Sequence, residues 1–179
     1  MVYVLLVDGY EDTEMIAPLD VLSRGNIPVT RVGVMGKTVT SKLGIVTQAD
    51  ITADQVDLSD CEMVFLPGGP GTHNYYDKPI VDEALTYATE HGCYIAAICA
   101  APSVLAAKGL LDGKKACCHF NVNEKMGTAQ LQKQPVCVDG TIITGRGAGA
   151  SIDFGLTLVA KLRGQEIADE IKHSICYAE

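Results

Sequence analysis

Apolar residues fall into two kinds of segment along this chain. Short unbroken apolar runs lie at Val2–Val7, Met63–Leu66 and Tyr94–Ile98, and Val29–Val34 reads as a second strand. Runs of that length, bounded by turn residues, predict strands covered on both faces. Between them the apolar positions take a helical period. Helices are expected over Glu14–Arg24, stopped by Gly25, over Ile80–Glu90, stopped by His91-Gly92, and over Ser103–Lys108 before Gly109. Two more are expected over Ser151–Leu162 and Gln165–Tyr177. Pro18 is expected early in its helix, where a missing N–H matters least. Val39–Gln48 alternates around Lys42-Leu43-Gly44 and predicts a hairpin. Lys115–Cys118 reads as a further strand and Asn121–Met126 as a short helix. Val136–Val138 and Thr141–Thr144 flank Asp139-Gly140, a two-residue hairpin turn.

Strands alternating with helices imply an α/β fold: a flavodoxin-like three-layer sandwich, with a mainly parallel sheet and helices on both faces. No linker or repeat interrupts 1–179, so one domain is expected. In such folds ligands gather at the carboxyl ends of the strands. The first strand leads to Glu14, the Met63 strand to Gly68-Gly69, and the Tyr94 strand to Cys99. All three are therefore expected at one edge.

Composition narrows the partners. A formal net charge of -8 disfavours nucleic acid and anionic membrane surfaces, both of which demand basic faces. No apolar run approaches the length of a membrane-spanning helix, and the first residues lack the pattern of a signal peptide. The seven cysteines show neither a disulfide framework nor a Cys-x-x-Cys metal pattern, so reduced thiols in a cytoplasmic setting and no metal are expected. Cys61, Cys93, Cys117, Cys137 and Cys176 read as apolar fillers.

Cys99 carries the chemistry. Small residues surround it in Ala97-Ile98-Cys99-Ala100-Ala101-Pro102, between a strand and a helix. This is the pattern of a nucleophile elbow, in which a helix N-terminus favours the thiolate. The alternative is a small thiol packed in the core. Glu14 is the expected partner: burial and a neighbouring thiolate raise its pKa, so it can hold a proton for the sulfur. Its alternative is a helix-start acid. Gly68, Gly69 and the amide of Ala100 can form an oxyanion hole, or the glycines a plain turn. His119 ends a strand on the same edge and His73 follows the glycine loop. Either suits a general base. Arg146, in Gly145-Arg146-Gly147-Ala148-Gly149, suits an anion, or is a solvated side chain at a helix entry. That motif lacks the spacing of a dinucleotide fingerprint, so no cofactor is expected.

Ala96–Pro102 closely resembles the cysteine turn of the DJ-1/ThiJ/PfpI superfamily. Glu11–Glu14 before Pro18–Leu22, Leu66-Pro67-Gly68-Gly69 and Gly145–Gly149 agree with it in order and spacing. Ala100 stands where the protease- and chaperone-like branch usually has histidine, so the chain resembles the DJ-1/ThiJ branch. The resemblance implies cofactor-independent chemistry of a glyoxalase or deglycase type. The substrates would be 2-oxoaldehydes such as methylglyoxal, or their adducts, with Cys99 and Glu14 acting. It also implies a homodimer contacted through the first helix, where Asp20 lies. The alternative it leaves open is an oxidative-stress sensor or protective chaperone whose cysteine becomes a sulfinate. The histidine that branch often carries farther along is missing from Glu124–Lys133.

Overall fold

The structure, a computed structural model, describes residues 1–177. The elements are β1 (Val2–Leu6), α1 (Asp12–Arg24), β2 (Val29–Gly33), β3 (Thr38–Thr40), β4 (Val46–Gln48), β5 (Ile51–Thr52), β6 (Met63–Leu66), α2 (Pro79–His91), β7 (Tyr94–Ile98), α3 (Pro102–Ala107), β8 (Lys115–Ala116), β9 (Gln130–Leu131), β10 (Val136–Asp139), β11 (Ile142–Gly145), α4 (Ser151–Arg163) and α5 (Gln165–Ser174).

Seven strands form one sheet in the order β10-β11-β7-β6-β1-β2-β5. All its pairs are parallel except β10 with β11. Taken in chain order, the long parallel strands β1, β2, β6, β7 and β11 run 2-1-3-4-5, the flavodoxin-like order. The unbroken apolar runs explain this centre: every residue of β1 and β6 is buried. One face packs Val21, Leu22, Phe154, Val159 and Ile171 from α1, α4 and α5 against Val4, Phe65 and Ile98. The other packs Val81, Leu85, Val104 and Leu105 from α2 and α3 against Leu5, Leu66 and Ile95. This is the expected three-layer arrangement. Among the described residues no helix is long and apolar enough to cross a membrane.

The departures are local. α1 begins at Asp12, so Pro18 lies in its second turn, where it removes the bond that Glu14 C=O would receive. Glu11 occupies the cap position without a side-chain bond. The Asp12 carboxylate accepts the Leu43 amide at 3.3 Å. The β10–β11 register pairs Asp139 with Ile142, moving the turn by one residue to Gly140-Thr141. β8 spans only Lys115–Ala116 and pairs with β9 outside the main sheet. The expected helix near Asn121 is a 3-10 turn over Phe120–Lys125. α5 stops at Ser174 rather than Tyr177, and Cys176, expected inside, is exposed.

Candidate active site

The strand order reverses direction between β1 and β6, and a crevice opens there at the carboxyl ends of the strands. The loop after β1 brings in Glu14, the loop after β6 Gly68 and Gly69, and the end of β7 Cys99. Tyr75 ties β1 to the loop after β6. Its buried hydroxyl donates to Leu5 C=O at 2.8 Å and Pro67 C=O at 3.1 Å.

Cys99 has a φ of +64°. A left-handed backbone costs a non-glycine residue about 1–2 kcal/mol, so the surroundings must impose it. They do so through three bonds. The Cys99 amide donates to Gly145 C=O at 2.9 Å, Cys99 C=O accepts the His119 amide at 2.8 Å, and the Ala101 amide donates to Ile98 C=O at 3.0 Å. The elbow therefore leans on β11 and on the segment after β8 that carries His119. Its thiol stays partly exposed.

Glu14 is 1% exposed and lies against the Cys99 side chain. Gly68 makes this possible: a Cβ there would stand 2.6 Å from Glu14 Oε2, 2.7 Å from Cys99 Cβ and 2.5 Å from Ile98 O. Gly69 takes φ +106°, and a Cβ on it would stand 2.4 Å from the Glu11 amide. Only glycine fits either place.

Burial pushes the Glu14 carboxyl up to about 7, with the Glu11 charge adding to it, while hydrogen bonds from Cys99 and the Gly68 amide pull it down. Burial also pushes the Cys99 thiol up to about 12, reinforced by the Glu14 charge and opposed by the amides of Gly69 and Ala100. Two groups therefore compete for one proton. The expectation of a low-pKa cysteine is corrected here. α3 has only six residues, too short a helix for its dipole to outweigh desolvation. The sulfur is reactive when Glu14 can take or hold its proton, not because the thiol is acidic by itself. Glu14 Oε2 makes no hydrogen bond of ordinary geometry, although the thiol lies within its influence. That oxygen is open to receive a proton.

The amides of Gly69 and Ala100 act on the sulfur, whereas the Gly68 amide serves the Glu14 carboxyl.

Two lobes of a cleft, about 620 and 550 Å³, share Glu11, Lys42, Cys99 and His119. The first adds Glu14, Phe120, Arg146 and Gly147; the second adds Gly69, Ala100, His73 and Ser103. His119 Nδ1 accepts the Asn121 amide at 3.3 Å, which assigns the proton of the neutral ring to Nε2. The exposed Arg146 guanidinium donates to Lys133 C=O at 3.0 Å. His73 is exposed and its Nδ1 lies 2.9 Å from Pro70 C=O. His91 stacks on Tyr87 at 3.8 Å on α2, away from the cleft. A groove between α4 and α5 is as large, about 620 Å³, but its lining contains no cysteine or histidine. Among the described residues no group of three or more His, Cys, Asp or Glu side chains is placed to hold a metal ion.

Lys42 and Glu11 reach the site without having been singled out. Lys42 Nζ pairs with Glu11 Oε2 at 2.5 Å, because the Lys42 amide bonds Tyr10 C=O at 2.9 Å and seats the hairpin tip over the cleft. A lysine at a hairpin tip is the only sequence signal, and it does not say where the hairpin docks.

The DJ-1/PfpI family model matches residues 1–161. The chain is 35% identical over 175 residues to the Parkinson disease protein 7 homolog of Danio rerio, covering 94% of this chain and 93% of that protein. It is 30% identical to the glutathione-independent glyoxalase DJR-1.2 of Caenorhabditis elegans, covering 94% of this chain and 91% of that one. The solved structure of oxidized Toxoplasma gondii DJ-1 superposes with a TM-score of 0.94 at 29% identity, covering 99% and 98% of the two chains.

Proposed function

Since the chain belongs to the DJ-1/PfpI family, we propose that it converts 2-oxoaldehydes such as methylglyoxal to hydroxy acids, or releases them from early thiol and amine adducts, with Cys99 as nucleophile and Glu14 as proton carrier. The observation that carries this reading is the pairing of a strained, partly exposed thiol with a buried carboxyl that titrates near neutrality. A general base poised near the working pH is best placed to move protons. A relative of 30% identity named as a glyoxalase adds support.

The sulfur adds to the aldehyde carbon while its proton passes to Glu14. The carbonyl oxygen, facing the Gly69 and Ala100 amides, takes that proton from Glu14 and becomes the hydroxyl of a hemithioacetal, which leaves Glu14 ionised again. Glu14 then takes the proton from that carbon and returns one to the neighbouring carbonyl carbon by way of an enediol, leaving a hydroxyacyl thioester. Water cleaves the thioester to the hydroxy acid and restores the thiol. One water is consumed and no electrons leave the substrate, so no external oxidant or reductant is needed. His119, with its proton on Nε2, and Arg146 flank this path as auxiliary groups. The assay is lactate formation from methylglyoxal by wild type and Cys99→Ser. Turnover that survives the substitution removes Cys99 from the mechanism.

One observation favours a second reading, an oxidation sensor. Below about pH 7 the buried Glu14 is protonated and can donate a hydrogen bond to a sulfinate on Cys99.

We further propose a homodimer. Ile16, Leu43, Ile45 and Val46 are 48–68% exposed on α1 and the β3–β4 hairpin, which lie side by side through the Leu43–Asp12 bond. Exposed apolar side chains grouped in this way mark a contact surface.

A further inference from the structure

Cys61 and Cys93 have no part in the cleft. They lie just before β6 and β7, at the end of the sheet opposite Cys99. These strands are neighbours, with Met63 paired to Tyr94 and the Tyr94 amide donating to Glu62 C=O at 2.9 Å. The Cys93 thiol donates to Cys61 C=O at 3.0 Å. A strand continued backwards from Met63 would place Cys61 on the α1 side. The chain instead turns out of the 3-10 turn Leu58–Asp60, so both thiols pack against the same cluster as Val64 and Ile95.

We propose that Cys61 and Cys93 form a reversible disulfide, a modification site separate from Cys99. Neighbouring backbone positions and side chains on one face are what a disulfide requires. Burial, followed by the nearby Cys93, pushes the Cys61 thiol up to about 12. Cys61 is partly exposed and Cys93 is 9% exposed, so a small oxidant meets Cys61 first. With a glutathione disulfide as oxidant, the Cys61 thiolate attacks one of its sulfurs and releases one glutathione thiolate. The Cys93 thiolate then attacks the Cys61 sulfur of the mixed disulfide and releases the second. Two protein thiols lose two electrons and two protons, and one external disulfide is reduced to two thiols. The raised thiol pKa makes the attack slow, so the bond belongs to sustained oxidation rather than brief exposure. Cys117 and Cys137 are also neighbours but are only 0% and 2% exposed, which closes them to an oxidant of that size.

The cross-link closes the segment 61–93, which holds β6, the Gly68 loop and α2. It ties the two strands at the end remote from the elbow and asks for no movement in the cleft. The test is to incubate the full chain with glutathione disulfide and map it by peptide mass spectrometry without reduction. The expected result is a peptide pair joining Cys61 to Cys93, with a melting temperature raised by roughly 5–10 °C and lowered again by dithiothreitol. Cys61→Ser and Cys93→Ala each abolish the shift, and Cys99→Ser keeps it, so the result does not depend on the reading of the cleft. Cys61 found only as a glutathione adduct, a cross-link joining any other pair, or a shift that persists in Cys61→Ser overturns the proposal.

Discussion

A Cβ on Gly68 would stand 2.6 Å from Glu14 Oε2. The glycine is thus a spacing element: it lets a carboxyl and a thiol from different strand ends share one small volume. Gly68→Ala is expected to displace Glu14 or the elbow, cost about 1–3 kcal/mol as overpacking does, and lower turnover at least ~10-fold. Thermal unfolding and lactate formation measured on the same preparation check it. A variant with wild-type values for both contradicts the close approach.

Burying Glu14 has a consequence for stability. Its folded pKa is about 7 against an ordinary 4.5, so the folded state binds this proton more tightly than the unfolded chain. Stability from this group is therefore full below about pH 4.5 and is lost as pH rises through about 7. The full span is on the order of 3 kcal/mol. Glu14→Gln holds a neutral side chain at every pH and should flatten the stability profile between pH 4.5 and 7, while stabilising the protein at pH 8. Denaturant unfolding across this range checks it; a profile as steep as wild type contradicts it.

The sheet and its edge were legible because β1, β6 and β7 are buried on both faces and so write unbroken apolar runs. Once those strands are parallel, Glu14, Gly68 and Cys99 must emerge together. What remained hidden depends on contacts distant in sequence. Lys42 reaches Glu11 only through the docking of a hairpin onto Tyr10. The pairing of β8 with β9 leaves no periodic trace in strands of two residues. A helix start beside Cys99 is visible in sequence, whereas the burial that pushes its thiol up and the shortness of α3 are not.

Selective oxidation follows from the amides around the elbow. Cys118 and Cys137 are 7% and 2% exposed, and the exposed Cys176 has no comparable donors directed at it among the described contacts. Low peroxide should add two oxygens to Cys99 first, and Glu14→Gln, still a donor, should support the sulfinate better than Glu14→Asp. Peptide mass spectrometry over a peroxide titration reads this. Oxidation beginning at Cys118 or Cys137 would show that the elbow does not activate its sulfur.

The apolar face of α1 and the hairpin gives the dimer a direct test. Light scattering on a sizing column should return twice the 19.0 kDa chain mass at micromolar concentration. Leu43→Asp, at a position 68% exposed, should shift the protein to monomer without unfolding it. A wild-type monomer, or a Leu43→Asp dimer as tight as wild type, contradicts this surface.

The most direct test of the shared proton is the pH dependence of Cys99 alkylation by iodoacetamide, followed at the Cys99 peptide in wild type and Glu14→Gln. Glu14 titrates near 7 and must lose its proton before the pair can free the sulfur's own. The wild-type rate should therefore rise through about pH 7 and level off, well below the thiol's value of about 12. In Glu14→Gln that inflection should vanish, leaving a rise only at the pKa of the thiol. A wild-type profile without an inflection near pH 7, or the same profile in both proteins, would mean that Cys99 and Glu14 do not share a proton.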